Sequence, residues 1–143
     1  MKKLLITAFL FAISIGLFAQ DQYLKNVAAT QEFSEEVAQL FVENKISEAF
    51  GKMTPYWPLP QNEISSLEET TIKYLNLLDL RFGSTIDAIK VKNETIANIA
   101  IRETYIVRYK NSAIRLIFTY YKNEDGWIIN AFKWDDSFTE EFK

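Results

Sequence analysis

Three consecutive pieces of this chain constrain its fold more than any others: Ala113-Ile-Arg-Leu-Ile-Phe-Thr-Tyr-Tyr-Lys122, Asn123-Glu-Asp-Gly126 and Trp127-Ile-Ile-Asn-Ala-Phe-Lys-Trp134. Two runs rich in β-branched and aromatic residues, parted by Asp-Gly, spell a hairpin, because glycine accepts the positive φ that tight hairpin turns demand. Further turn signals at Asn93-Glu94 and Lys110-Asn-Ser112 divide the region into four strands, over about residues 86–92, 96–109, 113–122 and 127–134. Connections this short make neighbours antiparallel. In the second strand Ala97, Ile99, Ile101, Tyr105, Val107 and Tyr109 alternate with Asn98, Arg102, Thr104 and Arg108, so one face is apolar and the other wetter. The third strand carries apolar area on both faces. The fourth sets Ile128, Phe132 and Trp134 against Trp127, Ile129 and Lys133.

Such a sheet needs cover, and the preceding residues supply helices. Phe33, Val37, Leu40 and Phe41 recur at helical spacing with Glu32, Glu35, Glu36 and Gln39 opposite, which predicts a helix over about residues 30–43. After a break at Asn44-Lys45, Ser47 is placed to cap a short helix burying Ala49, Phe50 and Met53. Thr54-Pro-Tyr-Trp-Pro-Leu-Pro60 is a proline-stiffened loop. A third helix, about residues 62–80, turns Ile64, Leu67, Ile72, Tyr74, Leu75 and Leu78 inward and stops at Gly83. The expected fold class is α+β, with N-terminal helices packed on a curved four-stranded antiparallel sheet.

Met1-Lys-Lys3 followed by an apolar run to Phe18 reads as a signal peptide cut after Ala19, leaving residues 20–143 as a single exported domain, periplasmic or extracellular. The run of about 15 residues falls short of the roughly 20 that span a membrane, so no stable anchor is expected. With 48% hydrophobic residues and 15% aromatics in 143, the chain can pack one core. The net charge of -3 supplies no basic footprint for nucleic acid. Cysteine and histidine are both absent, which removes disulfides, thiol catalysis, Cys/His zinc sites and Ser-His nucleophiles.

Val37-Ala-Gln-Leu-Phe-Val-Glu-Asn-Lys-Ile-Ser-Glu-Ala-Phe50, closed by Thr54-Pro-Tyr-Trp57, resembles the opening helices of nuclear transport factor 2-like domains, and Gly126-Trp-Ile-Ile-Asn-Ala-Phe-Lys-Trp134 resembles their last strand. The element order over residues 33–134 is similar to short, secreted members of that cystatin-like superfamily. The resemblance implies a cone whose open end holds an apolar ligand or, in isomerase- and cyclase-like members, a catalytic pocket. No position matches a catalytic motif, and none is carried over.

Asp135-Asp136 with Glu140-Glu141 lacks the ligand spacing of a calcium loop, and acidic tails are usually solvated. Asp79 and Asp87 flank the junction of helix and sheet and read as surface or helix-end charges rather than as a base facing the cone. Tyr56 and Trp57, on the stiff proline loop, can line a pocket mouth or lid the core; Tyr105, Tyr120, Trp127 and Trp134 complete the candidate ligand or partner surface, with core packing as their plainer role. No cofactor and no metal is expected. The leading expectation is a non-catalytic binding domain for a small apolar ligand or a protein partner. A small isomerase- or cyclase-like enzyme and a structural homodimer through the sheet, or accessory subunit, are the alternatives.

Overall fold

The computed structural model describes residues 22–143, so the expected leader and its cleavage bond lie outside the described residues. Helix α1 (Val27–Val42) begins three residues before the expected start, because the Asn26 side chain accepts the Ala29 N–H at 2.8 Å and caps it. It buries Thr30, Phe33, Ser34, Val37, Ala38 and Phe41. Asn44, at φ 56°, breaks the chain where expected. Helix α2 (Ile46–Met53) buries Ile46, Ala49, Phe50 and Met53. Ser47 is not its cap: the hydroxyl lies within the helix and donates to Glu68 Oε1 at 2.6 Å. A 3-10 turn (Thr54–Tyr56) leads to α3 (Gln61–Phe82), which ends at Gly83, φ 82°, the left-handed stop a glycine supplies at least cost. Its buried stripe is Ile64, Thr71, Leu75, Leu78 and Phe82. Leu67 and Tyr74, expected inside, are 43% and 54% exposed.

Strands β1 (Thr85–Ile96), β2 (Ala100–Tyr109), β3 (Ala113–Lys122) and β4 (Trp127–Asp135) form one antiparallel sheet in the order β1-β2-β3-β4, so the fold is α+β with helices preceding a meander. Asn93-Glu94 is strand, not turn. Asn93 pairs with Glu103 and Glu94 with Arg102, whose guanidinium grips the Glu94 carboxylate at 2.7 and 2.9 Å, and this charged rung carries the ladder on to a turn at Ala97, φ 46°. Helix α1 lies across β1, β2 and β3, and α2 bridges it to α3.

Strict alternation fails in β4. Thr119 pairs with Ala131 but Tyr120 with Ile129, leaving Asn130 as the extra residue of a bulge. One extra residue reverses the side-chain phase, so Trp127 and Ile129 share the helix-covered face with Phe132 and Trp134, while Ile128 faces outward. Phe132 is the hub of that face, with ring centroids 5.0 Å from Phe118, 5.7 Å from Phe41, 6.1 Å from Phe50 and 6.3 Å from Trp57.

The β3–β4 turn also departs from expectation. Asn123 Oδ1 accepts the N–H groups of Asp125 and Gly126, and the Asn123 N–H reaches Gly126 O at 2.8 Å, without a positive φ at Gly126. Glycine is needed there for space. Leu24 and Trp127 exchange backbone hydrogen bonds at 2.7 and 2.8 Å, and a Cβ on Gly126 would stand 2.5 Å from Tyr23 Cδ2 and 2.7 Å from Leu24 O. Gly126→Ala is therefore expected to push the entering segment off the sheet edge, with a loss of about 1–3 kcal/mol in chemical denaturation and a red shift of tryptophan emission as Trp127 loses its cover.

Candidate functional site

The six aromatic residues singled out in the sequence fall into three places. Tyr105, Tyr120 and Trp127 are inside, at 3%, 0% and 3% exposure. The Tyr120 hydroxyl shares a 2.6 Å hydrogen bond with Ser34 Oγ of α1, the Tyr105 hydroxyl points at Gln31 O, and burial raises both phenols well above their ordinary value. Tyr56 packs its ring edge-on against Phe33, centroids 5.2 Å apart. Only Trp57 and Trp134 come together beside open space. With Phe50, Leu67, Thr71 and Phe132 they line a recess of about 270 Å³ between α3 and β4.

Trp134 also walls a second, larger hollow. This groove, about 710 Å³, is lined by Tyr74, Leu77, Leu78, Leu80 and Arg81 of α3 and by Trp134, Asp135 and Asp136 at the end of β4. The Trp134 indole N–H donates to Thr71 Oγ1 at 3.1 Å, which pins the ring and makes it a fixed wall. On the facing helix Tyr74, Leu77 and Leu80 are 54%, 51% and 85% exposed, an apolar patch beside a held aromatic. Arg81 stacks over Phe82 at 5.3 Å and sets positive charge on one rim, and Asp136 sets negative charge on the other. Leu77 and Leu80 lie off the buried stripe of α3, and an aliphatic pair on the wet side of an amphipathic helix is the sequence signal that marks the groove.

A second feature is a carboxylate in the core. Glu103 falls in phase with Ile101, Tyr105 and Val107, and this register alone places its side chain on the covered face. It is fully buried, and neither oxygen is hydrogen-bonded. Lys90 Nζ stands at 3.7 Å, beyond hydrogen-bond length. Burial pushes the Glu103 carboxyl up, against the opposing pull of the Ser34 hydroxyl and the Lys90 ammonium. The nearest recess, about 170 Å³ on the seam of α1 and β1, is lined by Glu35, Gln39, Lys90 and Tyr105 but not by Glu103. Of the two aspartates flanking the junction, Asp87 is gripped by Arg108 on the outer face and Asp79 is half-exposed at the end of α3, its carboxyl raised by partial burial. Among the described residues no three His, Cys, Asp or Glu side chains gather as a metal site, and no helix is long and apolar enough to cross a membrane.

No family model, no curated protein and no solved structure matches this chain.

Because the folded state raises the Glu103 carboxyl above its ordinary value of 4.5, its contribution to stability is complete below that value and is lost as pH climbs through the raised one. Glu103→Gln keeps the shape and removes the titration. The variant is expected to match the wild type in acid and to melt at progressively higher temperature than it from about pH 4.5 upward. A melting-temperature difference that stays flat with pH would mean that Lys90 holds the carboxylate charged.

Proposed function

We propose that this chain is a non-catalytic binding domain, exported by its leader, that holds a small apolar molecule in the groove between α3 and the end of β4. The observation that carries this reading is the juxtaposition of Tyr74, Leu77 and Leu80, all exposed, with the immobilised ring of Trp134. Exposed aliphatic side chains facing a fixed aromatic wall favour an apolar guest, since each contact removes area from water without an ordering cost on the tryptophan. A volume of about 710 Å³ lies within the range of small-molecule sites, roughly 300–1,000 Å³. Arg81 and Asp136 at the rims suit a guest with a polar end. The order of three helices and four strands leads us to read the domain as nuclear transport factor 2-like.

The enzyme alternative has less support. The space between the sheet and the helices is filled by Phe50 and Met53 of α2 and by Leu116, Phe118 and Tyr120 of β3, each at most 1% exposed, and the Glu103 carboxylate among them lines none of the recesses described above.

The reading is tested by titrating the purified chain with 1-anilinonaphthalene-8-sulfonate while following energy transfer from tryptophan. Saturable binding is expected, weakened about tenfold, or about 1.4 kcal/mol, by Leu77→Glu or Leu80→Glu. Both positions are half or more exposed, so the melting temperature should hold. Undiminished binding by both variants would remove the groove from consideration.

A further inference from the structure

The fold carries one hydrogen-bond donor into its interior without an acceptor. Trp57 is 6% exposed, and its indole N–H is the one buried side-chain nitrogen among the described residues that meets no partner. The backbone around it is fixed. Trp57 N–H closes the 3-10 turn onto Thr54 O at 3.3 Å, its carbonyl accepts from Leu59 at 2.8 Å, and Pro58 holds residue 57 extended, at φ -114° and ψ 107°. Phe132 meets the ring edge-on with centroids 6.3 Å apart and offers only a weak π contact in place of a lone pair. Folded proteins rarely bury a donor in this condition, and Trp134 nearby does not, since its N–H reaches Thr71 Oγ1 at 3.1 Å.

Trp57 is a wall of the recess of about 270 Å³ between α3 and β4, with Phe50, Phe132 and Trp134 as the other aromatic sides. The polar groups there are of one kind. Thr71 accepts from Trp134, which leaves its own hydroxyl proton to donate. Lys133 lines the recess from β4, the edge strand, so no further strand lies beyond it. Its ammonium is in no ion pair among the described residues, and Asp135, two residues on, is already taken by Arg115 at 2.7 Å. None of the residues lining the recess is Asp or Glu.

We propose that this recess binds a small aromatic carboxylate, whose ring packs against Trp134 and Phe132 and whose carboxylate accepts from the Trp57 N–H and the Thr71 hydroxyl and is balanced by Lys133. Size sets part of the class. The recess falls just below the roughly 300 Å³ at which small-molecule sites begin, which suits one ring with a short acid and not a long acyl chain. Charge sets the rest. An amine would meet a lysine and no carboxylate, and a plain hydrocarbon would leave the indole N–H unpaired. A carboxylate instead gains charge-assisted hydrogen bonds, the stronger kind. The recess shares only Trp134 with the α3–β4 groove, so the inference stands whether or not the groove holds a guest.

Heteronuclear NMR of the isotope-labelled chain tests this, because each indole N–H gives its own resonance and Trp57→Phe identifies the one from Trp57. Benzoate is the probe. A saturable downfield movement of the Trp57 N–H is expected, as hydrogen bonding deshields the proton, with benzylamine, of similar size and opposite charge, binding about tenfold more weakly. Lys133→Gln should weaken benzoate about tenfold, and Leu80→Gln in the groove should change nothing. Both of those side chains are exposed, so the fold should hold. A Trp57 N–H unmoved by excess benzoate, equal binding of benzylamine, undiminished binding by Lys133→Gln, or a loss on Leu80→Gln that puts the probe in the groove would each overturn the proposal.

Discussion

A sheet offers only two faces, and this one loads every large aromatic but Tyr121 onto a single one of them. Tyr105, Tyr109, Phe118, Tyr120, Trp127, Phe132 and Trp134 all point toward the helices, and Asn130 makes that possible by adding one residue to β4 and reversing its phase at midlength. Without the bulge, Trp127 and Ile129 would stand on the wet side and the Leu24 bridge would have no tryptophan to cover. With it, Phe132 collects rings from α1, α2, the proline loop and β3 around one point. A core filled this densely leaves its concave space at the margins, the larger hollow of the two that Trp134 walls lying where α3 runs past the end of β4.

That margin explains the division of labour among the tryptophans. Trp127 closes the core, Trp57 lids it, and Trp134, held by Thr71, is the one left with a side on open space of both the recess and the groove. The opposite face is organised by charge. Ion pairs across neighbouring strands, and Glu141 against Arg115, set charge among the apolar side chains there, one of the devices by which sheets avoid unwanted pairing.

Element order, helix stripes and three of the four strand cores were legible in the sequence because each follows a simple period. What escaped it depends on single residues acting against the period. Asn93-Glu94 has turn composition, yet a bidentate Arg102 makes it strand. Asp125-Gly126 has hairpin composition, yet an Asn123 side chain builds the turn and the glycine serves Tyr23 and Leu24 instead. Glu103 was legible by phase alone, as the one charged side chain in an apolar row, but alternation is usually read for hydrophobic residues and a lone carboxylate passes for a surface charge. Tyr56, Trp57, Tyr105, Tyr120, Trp127 and Trp134 stood out by residue type, and type does not distinguish the ring that fills a core from the ring that walls a groove. Leu77 and Leu80 are the better markers, since nothing on the wet side of α3 requires them for folding.

The central claim is that the working surface of this domain is the α3–β4 groove. Its most direct test is a heteronuclear NMR titration of the isotope-labelled chain with a small apolar probe. The account predicts shifts confined to Tyr74, Leu77, Leu80, Arg81 and the Trp134 indole N–H, with Tyr105 and Tyr120 unmoved. Shifts centred on the interior around Ser34, Glu103 and Tyr120, or on the outer face around Ile89 and Ile117, would contradict it.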